Sequence, residues 1–219
     1  MMKRITGTIA VLTATVAIAG CSAEAGKSDD HSKSDMRSTE MTARVGQTAP
    51  DFTLTSSQGE KYTLSDYEGR FVILEWINFD CPFVKKHYHS GNMPSLQQKY
   101  RDNDIVWLSI CSSAPGKQGH FAGDELTSRI KSEGWDGTAY LVDADGKVGR
   151  MYDAKTTPHM YIINPEGELI YMGAIDDRPT TGLEDVDGAN NYVVVALDAA
   201  TAGNTVPTAA TKSYGCSVK

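Results

Sequence analysis

In the stretch Trp76-Ile77-Asn78-Phe79-Asp80-Cys81-Pro82-Phe83-Val84-Lys85-Lys86-His87-Tyr88 an apolar strand runs into a cysteine and then into a helix. Phe71 to Ile77 is a short apolar run with β-branched and aromatic residues, the signature of a buried strand. After the turn Asn78 to Asp80, the positions Phe83, His87/Tyr88, Met93 and Leu96 follow helical spacing rather than alternation. Pro82 suits the first helical turn, where its missing N–H would be unpaired anyway. Cys81 is therefore predicted at the N-cap, where free backbone N–H groups and the positive end of the helix dipole favour thiolate over thiol. Lys85, Lys86 and His87 are expected to push the same way and Asp80 to push back. The contrasting reading is a buried, inert cysteine, common for this residue type.

A chain of 219 residues allows one substantial domain plus tails, and one such domain can bury a sizeable core. Its net charge of −7, with no basic stripe, argues against a nucleic-acid partner. Residues 1–20 carry a basic start at Lys3 and Arg4, an apolar segment Ile9 to Ile18, and small residues before Cys21. This reads as an export signal rather than a membrane span. Ile18-Ala19-Gly20-Cys21 looks like a bacterial lipobox, which predicts a lipidated Cys21 as the new N-terminus and a membrane-tethered protein of the cell envelope. The alternative is ordinary cleavage near Ala23-Glu24-Ala25. Residues 21–44 are polar with no periodic apolar face, as in a flexible tether; His31 within it reads as solvated. With Cys21 consumed, Cys81, Cys111 and Cys216 remain, an odd count that leaves at least one thiol free or paired between molecules in an oxidising compartment.

The folded part is expected from Val45. Asp51 to Leu54 and Lys61 to Leu64 flank a glycine-containing turn and predict a hairpin. Ile105 to Ile110 is a second buried strand ending at Cys111, so two cysteines directly follow buried strands, at the sheet edge where ligands bind in open α/β folds. Asp124 is expected to cap a helix reaching about Glu133. Tyr140 to Val142, Met160 to Ile163 and Leu169 to Met172 predict further strands, with Asn164-Pro165-Glu166-Gly167 turning the last pair antiparallel, and Val193 to Ala202 a final helix. The order predicts an α/β class with a mixed sheet.

These residues resemble the thioredoxin-like proteins of the redoxin, or AhpC/TSA, group, in a peroxiredoxin-like branch. The resemblance rests on Gly46-x-x-Ala49-Pro50-Asp51-Phe52-x-Leu54, on Cys81-Pro82-Phe83-Val84, on Thr157-Pro158, on Gly167, and on the closing Tyr214-Gly215-Cys216-Ser217-Val218-Lys219. It implies a thioredoxin-like domain over 45–205 followed by a tail, 206–219, that carries Cys216. It places Cys81 at the first cysteine of the thioredoxin Cys-x-x-Cys motif and Val84 at the second, so a resolving thiol must come from elsewhere. In the peroxiredoxin motif Pro-x-x-x-Thr-x-x-Cys the threonine slot falls on Asn78 and the proline slot on Leu74, so that motif is absent. Pro158 matches the cis-proline that faces the active cysteine, with Thr157 before it.

The leading expectation is thiol–disulfide exchange with a redox protein partner. Cys81 is the nucleophile, Cys216 the preferred resolver in a tail free to swing, and Cys111 the competitor; no cofactor is implied. Slow peroxide reduction through a Cys81 sulfenic acid is a second reading. A third is copper binding by Cys81, His87, His89 and Met93, although His87 and His89 lie about 200° apart on a helix. A non-catalytic lipoprotein on the same scaffold is the fourth. Glu75 reads either as a buried proton relay or as a solvent-facing residue. His120 and His159 read as loop and strand-edge residues, and Asp176-Asp177-Arg178 with Glu184 to Asp187 as a solvated acidic loop.

Overall fold

The computed structural model describes residues 42–219. The export signal, Cys21, His31 and nearly all of the tether lie outside the described residues. The strands are β1 (Thr53–Ser56), β2 (Lys61–Thr63), β3 (Val72–Trp76), β4 (Val106–Cys111), β5 (Ala139–Val142), β6 (Thr156–Thr157), β7 (His159–Ile163), β8 (Leu169–Gly173) and β9 (Cys216–Ser217). The α-helices are α1 (Pro82–His89), α2 (Asn92–Arg101), α3 (Gly123–Ser132), α4 (Lys147–Met151) and α5 (Tyr192–Thr201).

Seven strands form one mixed sheet in the order β2-β1-β5-β4-β3-β7-β8. Strand β3 pairs parallel with β4, β4 parallel with β5, and β7 antiparallel with both β3 and β8. The expected α/β class with a mixed sheet is what the chain adopts. Every residue of β3 and β4 is buried, because both faces of these central strands are covered. The two-residue period of β3 sends Ile73 and the neighbouring Ile77 to one core, with Val84 and Tyr88 of α1, Met93 and Leu96 of α2, and Val193 and Leu197 of α5. Val72, Leu74 and Trp76 go to the other core, with Phe52, Val148, Tyr152 and Tyr161. Each such aliphatic or aromatic side chain contributes roughly 1.5–3 kcal/mol by leaving water.

Three local expectations change. The helix after Cys81 is two helices: the chain breaks at Ser90-Gly91, where Gly91 takes a left-handed φ of 75° and caps α2. Glycine adopts that conformation without a Cβ penalty, so Met93 and Leu96 sit on a re-aimed helix. Helix α3 starts at Gly123 with Ala122 at the N-cap, and Asp124 lies in the first turn, where its charge meets the helix dipole.

The third change concerns the C-terminal segment, which is docked rather than free. Met172 N–H donates to Ala209 O (3.1 Å), and Thr211 N–H to Met172 O (3.1 Å). Thr211 Oγ1 bonds the Tyr171 hydroxyl (2.7 Å) and accepts from Ala174 N–H (2.9 Å). Strand β9 then pairs antiparallel with β6, Cys216 opposite Thr157 and Ser217 opposite Thr156. Two glycines permit the close approach: a Cβ on Gly173 would meet Thr211 Oγ1 at 2.1 Å, and one on Gly215 the Thr157 carbonyl oxygen at 2.0 Å.

Candidate active site

Cys81 is the N-cap of α1, with extended φ/ψ of −73° and 124° and Pro82 in the first turn. Its carbonyl accepts from Lys85 N–H (2.9 Å), and its own N–H donates to Asn78 O (2.9 Å). The side chain makes no cap bond; the thiol donates instead to the carbonyl of Thr157 at 3.0 Å. The Thr157–Pro158 peptide is cis. The β3–β7 pairing, with Trp76 opposite His159, carries the residues before Cys81 and those after Pro158 to the same edge of the sheet. The Cys81 side chain is wholly buried.

Cys216 arrives from the other direction. It pairs with Thr157, whose carbonyl accepts from the Cys81 thiol, so both cysteines meet at that one residue. Burial and the neighbouring Cys81 push the half-buried Cys216 thiol up to about 11. Cys111, also buried, turns its sulfur to Gly119 O (3.4 Å). Cys81, Cys111 and Cys216 are all free thiols in this structure. The structure therefore brings Cys81, Thr157, Pro158 and Cys216 together, while the Cys111 sulfur bonds Gly119.

The flanking residues serve other ends than the sequence reading gave them. Asn78 accepts from Asp80 N–H (2.9 Å) and donates to Gln118 O (3.2 Å), tying the turn before Cys81 to the loop after β4. Lys85 is half-buried, and its side chain makes no hydrogen bond or ion pair among the described residues. Lys86 and His87 do not serve the Cys81 sulfur. Lys86 Nζ donates to Arg178 O (2.7 Å) and lies 3.8 Å from Asp176 Oδ2. Asp176 accepts a short bond from the Tyr214 hydroxyl, and that oxygen lies 3.1 Å from His87 Nε2. Asn92 Nδ2 approaches His87 Nδ1 at 2.9 Å, so the network assigns the proton to Nε2: Nδ1 accepts from Asn92, and Nε2–H donates to Tyr214. Burial lowers His87 to about 4, against partial compensation from Asp176, so the ring is neutral at pH 7. The Tyr214 ring also packs on Phe83, with ring centres 5.8 Å apart.

Asp176, read from sequence as part of a solvated loop, is thus buried, and its carboxyl is the acceptor at the centre of this cluster. Tyr214 and Asn92 were not legible as members. The signal was present in Lys86 and His87, adjacent polar residues on a short helix that packs on the core, which require buried partners.

Glu75 is fully buried on the same side of the sheet. Its carboxyl accepts from Tyr88 OH (3.0 Å), Gln97 Nε2 (3.1 Å), Trp107 Nε1 (2.8 Å) and Ser109 Oγ (2.7 Å). Burial raises its pKa, and the four donors oppose that rise. The solvent-facing alternative is therefore excluded. His159 is buried beside Tyr161 (Nδ1 to hydroxyl, 2.9 Å) and lowered to about 4 by desolvation. His120 Nδ1 bonds Ser113 O (3.2 Å).

The residues proposed for copper are not convergent. His87 has both ring nitrogens engaged, while exposed His89 faces Glu133 (3.3 Å). No cluster of three or more His, Cys, Asp or Glu with metal-binding geometry occurs among the described residues.

Comparison with known proteins agrees with this architecture. The thiol-disulfide oxidoreductase ResA of Bacillus subtilis is 27% identical over 125 residues, 57% of this chain and 64% of the relative, so the chain spans just under two thirds of that protein. The crystal structure of an uncharacterized conserved protein from Geobacillus kaustophilus superposes with a TM-score of 0.70 at 28% identity, covering 80% of this chain and 92% of the other. A putative thiol:disulfide interchange protein DsbE from Chlorobium tepidum shares the fold, with a TM-score of 0.50 at 21% identity over 60% of this chain and 85% of that one. The fold is thioredoxin-like, a central mixed sheet flanked by helices. The AhpC/TSA family model matches residues 45–172, from ahead of β1 into β8, and the chain belongs to that family.

Proposed function

We propose that the protein is an exported thiol–disulfide oxidoreductase, tethered to the bacterial cell envelope through a lipid on Cys21, that exchanges electrons with a protein partner through Cys81 and Cys216. The observation that carries this reading is the pairing of Cys216 with Thr157, whose carbonyl accepts from the Cys81 thiol at 3.0 Å. The relatives named thiol-disulfide oxidoreductase support the reaction class, and the lipobox Ile18-Ala19-Gly20-Cys21 supports the tether.

In the reducing direction the Cys81 thiolate attacks one sulfur of a partner disulfide. A mixed disulfide forms and the partner's other sulfur leaves as thiolate, taking a proton. Cys216 then attacks the Cys81 sulfur of the mixed disulfide, its proton passing to the partner sulfur that leaves. The Cys81–Cys216 disulfide forms and the second partner thiol is released. The partner gains two electrons and the protein loses two; a dithiol reductant returns them. At the peroxiredoxin threonine slot stands Asn78, whose amide is spent on Asp80 and Gln118, so that slot offers a peroxide no hydroxyl. That favours exchange over peroxide reduction.

The test is non-reducing peptide mapping of the oxidised protein together with trapping by Cys216→Ala. A Cys81–Cys216 link, and mixed disulfides that accumulate in the variant, are the expected results. A Cys81–Cys111 link with Cys216 free would falsify the assignment of the resolver. Mass spectrometry of the mature N-terminus tests the tether: diacylglycerol-modified Cys21 is expected, and an unmodified start beyond it would remove that part.

A further inference from the structure

Cys216 must meet the Cys81 sulfur each time a mixed disulfide resolves, so the way the C-terminal segment holds it governs that step. The strand that carries it is short, with two residues of β9 paired to β6. On the C-terminal side the chain is fixed by Val218, which donates its N–H to Lys155 O (3.2 Å) and packs on the second core. On the N-terminal side, between Thr211 and Cys216, the side-chain hydrogen bonds among the described residues are those of Tyr214. Gly215 joins Tyr214 to Cys216 at a φ of 133°, so close to the Thr157 carbonyl oxygen that a Cβ would meet it at 2.0 Å. Tyr214 is in turn fixed to the helix that carries the nucleophile. Cys81 caps α1; Phe83 of the first turn packs on the Tyr214 ring, and His87 of the second turn lies 3.1 Å from its hydroxyl. Lys86 stands 5.8 Å from the centre of that ring and 3.8 Å from Asp176, which accepts the hydroxyl proton of Tyr214 and the N–H of Arg178 (2.9 Å). Three residues of α1 thus locate the tyrosine two positions before the resolver.

We propose that Tyr214 is the positioning residue for the resolving thiol: anchored to α1 and to Asp176, it holds Cys216 at Thr157 and so sets the effective concentration of Cys216 toward Cys81. A resolver on an unanchored segment samples many positions and reaches the Cys81 sulfur rarely. One held in place meets it at a concentration far above that of a free thiol. The proposal rests on the exchange reading and concerns its second step, the attack of Cys216 on the mixed disulfide.

The test is the equilibrium with glutathione. The thiols of Cys81 and Cys216 and one glutathione disulfide give the Cys81–Cys216 disulfide and two glutathione thiols, the electron pair passing to glutathione. In the full chain carrying Cys21→Ser and Cys111→Ser these two are the only thiols, and the glutathione ratio at half-oxidation gives the effective concentration directly. Tyr214→Phe keeps the ring and removes both hydroxyl bonds, and is expected to lower that concentration about tenfold. Asp176→Asn keeps an acceptor oxygen without the charge and is expected to lower it about threefold, yet less than about twofold further in the Tyr214→Phe background, because both act through one bond. A tyrosine with a structural role alone would weaken the dithiol and disulfide forms alike, lowering both melting temperatures and leaving the glutathione balance unmoved. An effective concentration within twofold of the parent, a rise, or effects of the two substitutions that multiply would each overturn the proposal. Should Tyr214→Phe fold poorly, Asp176→Asn alone decides: the threefold fall supports the role of Tyr214 and its absence removes it. A parent that forms no Cys81–Cys216 disulfide in these buffers would instead sink the exchange reading, and the positioning role with it.

Discussion

Of the three carboxylates buried among the described residues, Glu75, Asp143 and Asp176, the first and the last have surroundings of different kinds. Glu75 takes its four donors from β4 and from the helices packed on it, Trp107 and Ser109 on the strand, Tyr88 on α1 and Gln97 on α2. Asp176 takes the Tyr214 hydroxyl from the C-terminal segment and the Arg178 N–H from its own loop, with Lys86 standing 3.8 Å away. The physics is common to both, since a carboxyl removed from water must find hydrogen-bond partners. The difference lies in what the donors join. Glu75 ties β4 to α1 and α2, whereas Asp176 ties the C-terminal segment, through Tyr214, to the loop after β8.

The sharpest way to break this contrast is Glu75→Ala, which strands four buried donors around a cavity. It is expected to cost roughly 3–5 kcal/mol of global stability, read from the urea midpoint. A loss under about 1 kcal/mol would mean the site relaxes and is no anchor.

Next comes acid. His87, at about 4 in the fold against 6.5 when free, is neutral in the native state while the unfolded chain takes up a proton as pH falls below 6.5. Through this ring the unfolded state binds more protons between pH 6.5 and 4, a loss of about 3 kcal/mol across that window, and His159, lowered to about 4 as well, acts in the same sense. Glu75, raised by burial, works in the opposite sense above its ordinary value near 4.5. Comparing the parent with His87→Gln cancels that term. The variant should show the shallower loss on acidification, and equal slopes would contradict the buried neutral ring.

Asp176→Asn, which leaves Lys86 facing an uncharged amide, is expected to cost about 2 kcal/mol or less. Its effect should concentrate in the tail: amide exchange at Val218 should quicken while β3 and β4 amides stay protected. Uniform acceleration would erase the distinction between the two carboxylates. Cys111→Ser sets the baseline, because a serine hydroxyl can keep the bond to Gly119 O. Stability should change by less than about 1 kcal/mol, and exchange activity by less than twofold.

Much of this was readable from the residues in order. The junction of β3, Cys81 and α1 follows from an apolar run, a turn and a proline, all local. So do the antiparallel pair around Asn164-Pro165-Glu166-Gly167 and the mixed sheet. What could not be read is which remote residues face one another. Cys111 and Cys81 both end buried strands, and only the three-dimensional path shows one sulfur at Thr157 and the other at Gly119. Asp176 sits among charged neighbours that suggest solvent, and its burial comes from Lys86 and Tyr214, far away in sequence. The C-terminal segment looked free because glycine and small polar residues carry no period. Its docking depends on a two-residue ladder too short to leave a pattern.

The surroundings of Glu75 carry a practical consequence for spectroscopy. Of the chain's three tryptophans, Trp107 donates its indole N–H directly to that carboxyl, and Trp135 donates to Ser109, which in turn donates to the carboxyl. A proton gained or lost at Glu75 changes the field at both indoles. The unlabelled protein thus contains its own optical indicator of the charge at the centre of its core, readable by intrinsic emission in a simple titration.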